Sequence, residues 1–420
     1  PAVAEAPGAG GGAATSGKLG GYQWRLLAFL SVATFFEGYD FYAITQVLPS
    51  LREDMGLPKE ASAYLIAFVN IGAVLAFFLV RLADRYGRTR MLQVTIAGYT
   101  AATLVSGLAP EVYSFGTAQL VARIFLLAEW AISMVIVAEE FPARHRGLII
   151  GVVQGCSTLG SIVCAVLTPM LVDTPYGWRT VYFVAVAPLV LLAFARRNLR
   201  ETERFDRADD GEKRSLFAIW KTPYKSRLLR LAAIWFVTYI PTQNAIALWK
   251  DYAVTDLGLT EAAAARIMVL ATPIAIPFVF GSGRLIDVLG RRWGAAVIFG
   301  IGAIGITGCY TVTSEVALIG AMVLGIFTAT AYLPVLNSYT TELFPTELRG
   351  SAFAWANNIL GRVGYVLSPL AVGAIIEETG QFAPAVLSTV PFLLVAVFMV
   401  FAFLPETKGK TLEETSALPG

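Results

Sequence analysis

Charge is scarce in this chain. Only 15% of its 420 residues are Asp, Glu, Lys or Arg, while 56% are hydrophobic; a typical soluble domain carries about 25% charged residues. That shortage excludes one or two ordinary soluble domains. The formal net charge is +2, which offers no broadly basic surface and excludes a nucleic-acid partner. The three cysteines, Cys156, Cys164 and Cys309, sit in apolar runs without paired spacing, so neither a disulfide framework nor a thiolate metal site is expected. The single histidine, His145, lies in a charged loop, which argues against a histidine-based active site. No nucleophile–base constellation or phosphate-binding loop appears, so the chain reads as no enzyme, and neither metal nor cofactor is expected. The Ala/Gly-rich start, Pro1 to Gly20, lacks the apolar core of a signal peptide and reads as a disordered tail. It opens on proline rather than methionine, so removal of something before it is expected.

Long apolar runs are abundant. A hydrocarbon core about 30 Å thick needs about 20 apolar residues of helix. Runs of that kind fall near 24–50, 61–80, 91–109, 112–138, 147–170, 179–195, 230–250, 263–283, 293–312, 315–340, 350–376 and 382–404. That makes twelve expected spans, six on each side of the longest polar stretch. No run shows the alternating polarity of about ten residues that marks a barrel strand.

The charged residues that do occur repeat themselves. Leu82-Ala83-Asp84-Arg85-Tyr86-Gly87-Arg88 returns 203 residues later as Leu285-Ile286-Asp287-Val288-Leu289-Gly290-Arg291. Phe141-Pro142-Ala143-Arg144-His145-Arg146-Gly147 returns at the same offset as Phe344-Pro345-Thr346-Glu347-Leu348-Arg349-Gly350, with Glu139 and Glu342 just upstream. Two unrelated motifs sharing one offset imply an internal duplication. Arginines crowd alternate loops (Arg81, Arg88, Arg144, Arg196, Arg284, Arg292), whereas the opposite loops hold little basic beyond Arg52 and Lys59. The positive-inside rule then places both termini in the cytoplasm. The expected fold is an all-α membrane protein of twelve transmembrane helices, arranged as two pseudo-symmetric six-helix bundles. The expected limits are a tail over 1–21, bundles over 22–198 and 229–405, a cytoplasmic central loop over 199–228 and a second tail over 406–420. Duplicated halves of this kind form a transporter architecture with the substrate site between them.

Ionisable groups inside spans are functional candidates, because a mid-membrane charge costs at least about 2.5 kcal/mol on insertion scales. The first span carries Glu37 and Asp40, the fourth Arg123 and Glu129, and the eleventh Arg362. At about 1.5 Å rise per residue, Asp40 and Arg123 lie level on neighbouring spans and are expected to form a buried pair. Protonating Asp40 would break the pair and free Arg123, a switch suited to proton coupling. The structural alternative is that Asp40 hydrogen-bonds a helix break at Gly38. Two intramembrane arginines also favour an anionic substrate, since a guanidinium grips a carboxylate in bidentate fashion. Arg362 has its own alternative, capping buried carbonyls or pairing with an acid of the first span.

These motifs resemble the major facilitator superfamily over essentially the whole chain beyond the tail. Arg81 to Arg90 resembles its loop signature Gly-x-Leu-Ala-Asp-Arg-x-Gly-Arg-Arg, with Val80 at the first glycine and Gly283 keeping it in the second copy. Pro405-Glu406-Thr407-Lys408-Gly409 is similar to the sugar-porter signature after the last helix, and Arg200-Glu201-Thr202 to its counterpart after helix six. Glu37-Gly38-Tyr39-Asp40-Phe41 resembles metabolite–proton and aromatic-acid–proton symporters more than hexose carriers. The resemblance implies an inward-directed, proton-coupled carrier of a small polar metabolite, working by alternating access as a monomer in the cell membrane. An organic anion is the expected substrate and a sugar the runner-up, by symport or facilitation. A drug–proton antiporter ranks lower, because Gly151 to Pro169 lacks a Gly-Pro-x-x-Gly-Gly ending. A non-transporting nutrient receptor ranks lower too, because the tail after Gly409 is short.

Residue by residue, the expected proton-coupling groups are Glu37, Asp40, Arg123 and Glu129, although Gln119 stands at the family's arginine position in helix four. The expected substrate contacts are Gln154, Asn244 and Arg362, with Tyr39 and Trp249 as stacking surfaces and Trp130, Tyr239 and Tyr365 as further candidates. Gln154 and Asn244-Ala245-Ile246 resemble hydroxyl-binding positions of sugar porters, but the paired glutamines upstream of Asn244 and the helix-ten tryptophan are missing. The expected cytoplasmic gate is Asp84, Arg88, Glu139, Arg146 and Glu201 in the first half with Asp287, Arg291, Glu342, Arg349 and Glu406 in the second. Partly exposed pairs are individually weak, which suits contacts that must break in every cycle.

Overall fold

The computed structural model describes residues 20–186 and 216–410, apart from positions 142 and 346, together with 414–415. Among the described residues every regular element is helical. In chain order these are α1 (Gly21–Met55), α2 (Glu60–Tyr86), α3 (Arg88–Leu108), α4 (Val112–Glu140), α5 (Ala143–Val172) and α6 (179–186). After a 3-10 turn at Leu216–Lys221 come α7 (Lys225–Ala247), α8 (Trp249–Thr255), α9 (Glu261–Leu289), α10 (Arg291–Thr311) and α11 (Glu315–Glu342). The chain closes with α12 (Arg349–Thr379) and α13 (Phe382–Phe403).

Among the described residues nine helices are long and apolar enough to cross a membrane, or ten if α7 and α8, bent by 44° to each other, count as one span. The two remaining expected spans miss that count for different reasons. α1 interrupts its apolar stretch with Glu37 and Asp40, and the expected span 179–195 runs beyond the described residues. The expected boundary between bundle and central loop at 198/199 also lies outside them.

The sequence repeat is a repeat of structure. α3 and α10 are both 21 residues long and open on Arg88 and Arg291, which stand 203 positions apart. Each follows a glycine with positive φ, Gly87 at 99° and Gly290 at 90°. Only glycine adopts that backbone without a Cβ clash, so the motif keeps it where the chain reverses between two helices. The packing repeats as well. α1 lies along α5, and α4 receives both α2 and α3; correspondingly α7 lies along α12, and α11 receives both α9 and α10. Contacts between these two sets run through α2 with α12, α5 with α9, and α1 with α8.

Close approach of α1 and α5 depends on missing side chains. A Cβ on Gly38 would overlap the Ser157 carbonyl, and one on Gly160 would overlap the Phe35 carbonyl. Small residues of this kind let membrane helices pack backbone to backbone, where dispersion replaces the absent hydrophobic drive. Helix α12 departs from α geometry over Ala354–Gly361, a π segment of 8 residues that ends beside Arg362. Wide turns of this type frequently mark functional positions.

Candidate functional site

Tight packing of α1 against α5 assembles a polar cluster in mid-helix. Ser157 Oγ donates to Glu37 at 3.0 Å, and Ser161 Oγ donates to the Gly38 carbonyl at 3.0 Å. Thr103 of α3 donates to Asp40 Oδ2 at 3.1 Å. Ser133 donates to Glu129 Oε1 one turn along α4, at 3.3 Å. Asp40 Oδ1 and Glu129 Oε2 are buried without a partner among the described residues. The guanidinium of Arg123 lies 4.1 Å over the Phe41 ring, a cation–π contact strengthened by desolvation. All four ionisable residues are 6% exposed or less. Glu37 and Asp40 lie within electrostatic reach of Arg123, and Glu129 within reach of Glu37, so carboxyls outnumber the cation in a setting where bare charge is costly.

The expected direct pair between Asp40 and Arg123 is a correction. The two are within electrostatic reach, but among the described residues no ion pair joins them, because Thr103 takes the carboxylate and Phe41 takes the guanidinium. α1 also runs unbroken through Gly38, so Asp40 has no helix break to cap. Gln119 is buried and donates to Ser106 Oγ at 2.9 Å, which leaves Arg123 as the cation of this cluster.

Aromatic rings gather on α7, α11 and α12. Tyr239 stands 5.6 Å from Trp235, 5.8 Å from Tyr332 and 5.5 Å from Tyr365 between ring centroids. Its hydroxyl donates to Asn357 Oδ1 of the π segment at 2.6 Å. Arg362 is half-buried, donates to the Ala73 carbonyl of α2 at 2.7 Å and interacts with Tyr239. Tyr365, packed on Tyr239, also lies in the neighbourhood of Arg123, so one tyrosine stands between the surroundings of the two arginines. Gln154 is exposed and accepts from Trp130 Nε1 at 3.2 Å. An exposed amide at mid-helix belongs against water rather than lipid.

Two expected stacking surfaces are corrected. Tyr39 is 1% exposed and donates to the Val181 carbonyl at 3.1 Å; Trp249 is 0% exposed and donates to the Cys309 carbonyl at 3.0 Å. Both are core residues tying helices together. Asn244 is likewise buried, donating to Ser368 Oγ at 2.6 Å, although its Oδ1 has no partner among the described residues.

Four of the second-copy gate residues, Asp287, Arg291, Glu342 and Glu406, form one network. Arg291 pairs with Asp287 at 3.1 Å and Glu342 at 2.8 Å, and Thr407 Oγ1 donates to Glu342 at 2.5 Å. Glu406 accepts backbone N–H bonds from Arg291, Arg292, Thr407 and Lys408 at 2.8–3.0 Å. Burial pushes the Glu406 carboxyl up, but those four donors outweigh it and hold it below the ordinary glutamate range. Arg349 Nε donates to the Phe344 carbonyl at 3.1 Å. These partners all lie within residues 287–408, so here the network joins α9, α10, α11 and the terminal segment to one another, while Arg349 of α12 braces its own entry loop. In the first copy Arg88 opens α3; the side chains of Asp84, Glu139 and Arg146, and all of Glu201, lie outside the described residues.

Sequence reasoning missed Thr103, Ser157 and Asn357, small polar residues whose partners come from other helices. It also missed Lys250 and Asp251, opposite charges placed at the very end of an expected apolar span. Their adjacency was the available signal.

The chain matches the family model described as Major Facilitator Superfamily over residues 30–281, and the model Sugar (and other) transporter over 205–418. It belongs to the major facilitator superfamily, and is a multi-pass membrane transporter rather than an enzyme. Among similar proteins, a putative metabolite transport protein of Haemophilus influenzae is 27% identical, with 94% of this chain and 99% of the relative covered. A probable 4-methylmuconolactone transporter of Cupriavidus pinatubonensis is 28% identical, covering 90% and 89%. A cis,cis-muconate transport protein of Acinetobacter baylyi is 24% identical, covering 85% and 88%. The crystal structure of a D-xylose-proton symporter superposes with a TM-score of 0.74 at 18% identity, covering 93% of this chain and 100% of that one, which is a likeness of fold.

Proposed function

We propose that this transporter takes up a small organic anion together with protons, by alternating access of two six-helix bundles (22–198 and 229–405) joined by a cytoplasmic loop (199–228). In this reading it works as a monomer in the cell membrane, twelve helices cross the bilayer, and both termini face the cytoplasm. The observation that carries the anion is Arg123, buried, stacked on Phe41 and without an ion-pair partner among the described residues. Arg362 supplies a second guanidinium beside a wall of tyrosines, suited to a carboxylate on a flat, unsaturated body. Relatives named for muconate and a muconolactone support this class.

The protons follow from charge balance. With Glu37 and Asp40 beside one arginine and Glu129 beside Glu37, a sealed site needs protons on the surplus carboxyls. Asp40 titrates against Arg123, and an arriving carboxylate takes the guanidinium when Asp40 is protonated. The gate networks at the arginine-rich face then part or close as the bundles rock. A sugar is the second reading, favoured by the exposed Gln154–Trp130 pair.

A thermal-shift screen of the purified protein against sugars and carboxylates tests the substrate class. A ligand at 100 times its Kd adds about 2.7 kcal/mol, so a carboxylate hit is expected to raise Tm visibly. Stabilisation by sugars alone would replace the anion with the second reading. Added substrate should alkalinise the medium around energised vesicles; uptake without alkalinisation would make this a facilitator.

A further inference from the structure

On the face opposite the arginine-rich loops, charges from the two halves are wired together at the elbow between α7 and α8. The 44° bend at Leu248 turns the consecutive residues Lys250 and Asp251 inward, and both side chains are fully buried. Lys250 Nζ donates to the Gln46 carbonyl of α1 at 2.7 Å and pairs with Glu261 of α9 at 2.8 Å. Asp251 accepts two bonds from Arg52 of α1, at 2.9 and 2.8 Å, and a third from Ser62 of α2 at 2.5 Å. Nearby, Lys59 pairs with Asp256 at 2.5 Å. Arg52 and Lys59 are the two basic residues that stand out in the loops opposite the arginine-rich ones, and both reach across to acids of the second half.

We infer that Arg52 and Asp251, supported by Lys59–Asp256 and by Lys250 on the Gln46 carbonyl, form the outer gate that holds the carrier closed on this face. The geometry suits a reversible closure. A bidentate guanidinium–carboxylate pair is specific in direction, yet its Coulomb gain is offset by the desolvation of both ions. When the halves part, water rehydrates both charges, so closing and opening are nearly balanced. The elbow matters because it carries both charges on one short helix: α8 cannot leave α1 without releasing Asp251 and the Gln46 carbonyl together.

The test reads distance across this face. Tyr113 and Val316 begin α4 and α11, are 80% and 82% exposed, and stand 203 positions apart in the repeat. Spin labels at Tyr113→Cys and Val316→Cys, with Cys156, Cys164 and Cys309 changed to serine, report the separation of the halves by electron–electron resonance. The starting protein should show mainly the short distance. Arg52→Asp and Asp251→Arg should each shift the long-to-short ratio at least tenfold, and the double exchange should restore it. Lys59→Gln, at a more exposed pair, should shift the ratio in the same direction and serves if the buried variants do not fold. Unchanged distances in folded single variants, or a folded double exchange that stays open, would overturn the gate. Neither outcome depends on which substrate is carried or on proton coupling.

Discussion

Asp40 and Arg123 lie within electrostatic reach without forming an ion pair, and that separation defines their expected behaviour. Asp40→Asn keeps the Thr103 hydrogen bond, because an amide oxygen still accepts, but it removes the proton site. Accumulation driven by a pH gradient should be lost while exchange of labelled for unlabelled substrate persists; retained accumulation would remove Asp40 from the coupling path. Arg123→Lys keeps the charge and loses the planar fork and its stacking on Phe41. Transport KM should rise about tenfold, equivalent to about 1.4 kcal/mol, with a smaller effect on neutral solutes. At this scale the sequence disclosed the ionised residues, because each breaks an apolar run. It could not disclose their partners, since Thr103 and Ser157 are ordinary hydroxyls until another helix meets them. Nor could it separate an aromatic in a cavity from one in a core, which is why Tyr39 and Trp249 were misplaced.

Helices were more legible than residues. The 203-residue echo extends to the ends of α3 and α10, because positive-φ glycines and flanking arginines punctuate both copies. Two irregularities were invisible. Leu248 is neither glycine nor proline, yet α7 breaks there, and Ala354–Gly361 holds no proline and ends rather than centres on its glycine, yet it widens into a π turn. Both segments pack against other helices, contacts that no local residue pattern announces. The contact of α1 with α5 gives a prediction at this scale. Gly160→Ala places a Cβ on the Phe35 carbonyl, backbone that cannot rotate away, and overpacking of this sort costs about 1–3 kcal/mol. A lower melting temperature in detergent checks it; an unchanged one would mean α1 and α5 separate freely. The Glu406 clasp gives another. A carboxyl held below its ordinary range contributes stability above that range and loses it as pH falls through the lowered value. Glu406→Gln should therefore mimic acid at neutral pH and speed tryptic cleavage after Lys408 and Lys410.

For the molecule as a whole, orientation is the property that charge placement in the sequence predicts and that labelling decides. Single cysteines placed at Thr174 and at Arg292 should react with an impermeant maleimide from opposite sides of the membrane, Thr174 from outside intact cells. Labelling of both from one side would reverse or refute the twelve-span topology. The seam between α2 and α12 bears on how such halves can move. Asn70 donates to the Tyr365 carbonyl at 3.1 Å, and Arg362 donates to the Ala73 carbonyl at 2.7 Å. Both donors are side chains and both acceptors are main-chain oxygens, which every residue along a helix supplies. A contact of that kind behaves as a bearing: the helices can tilt or slip by a turn and find an equivalent acceptor waiting. Mutational tolerance along the seam should accordingly be lopsided, strict at Asn70 and Arg362 and loose at the residues that receive them.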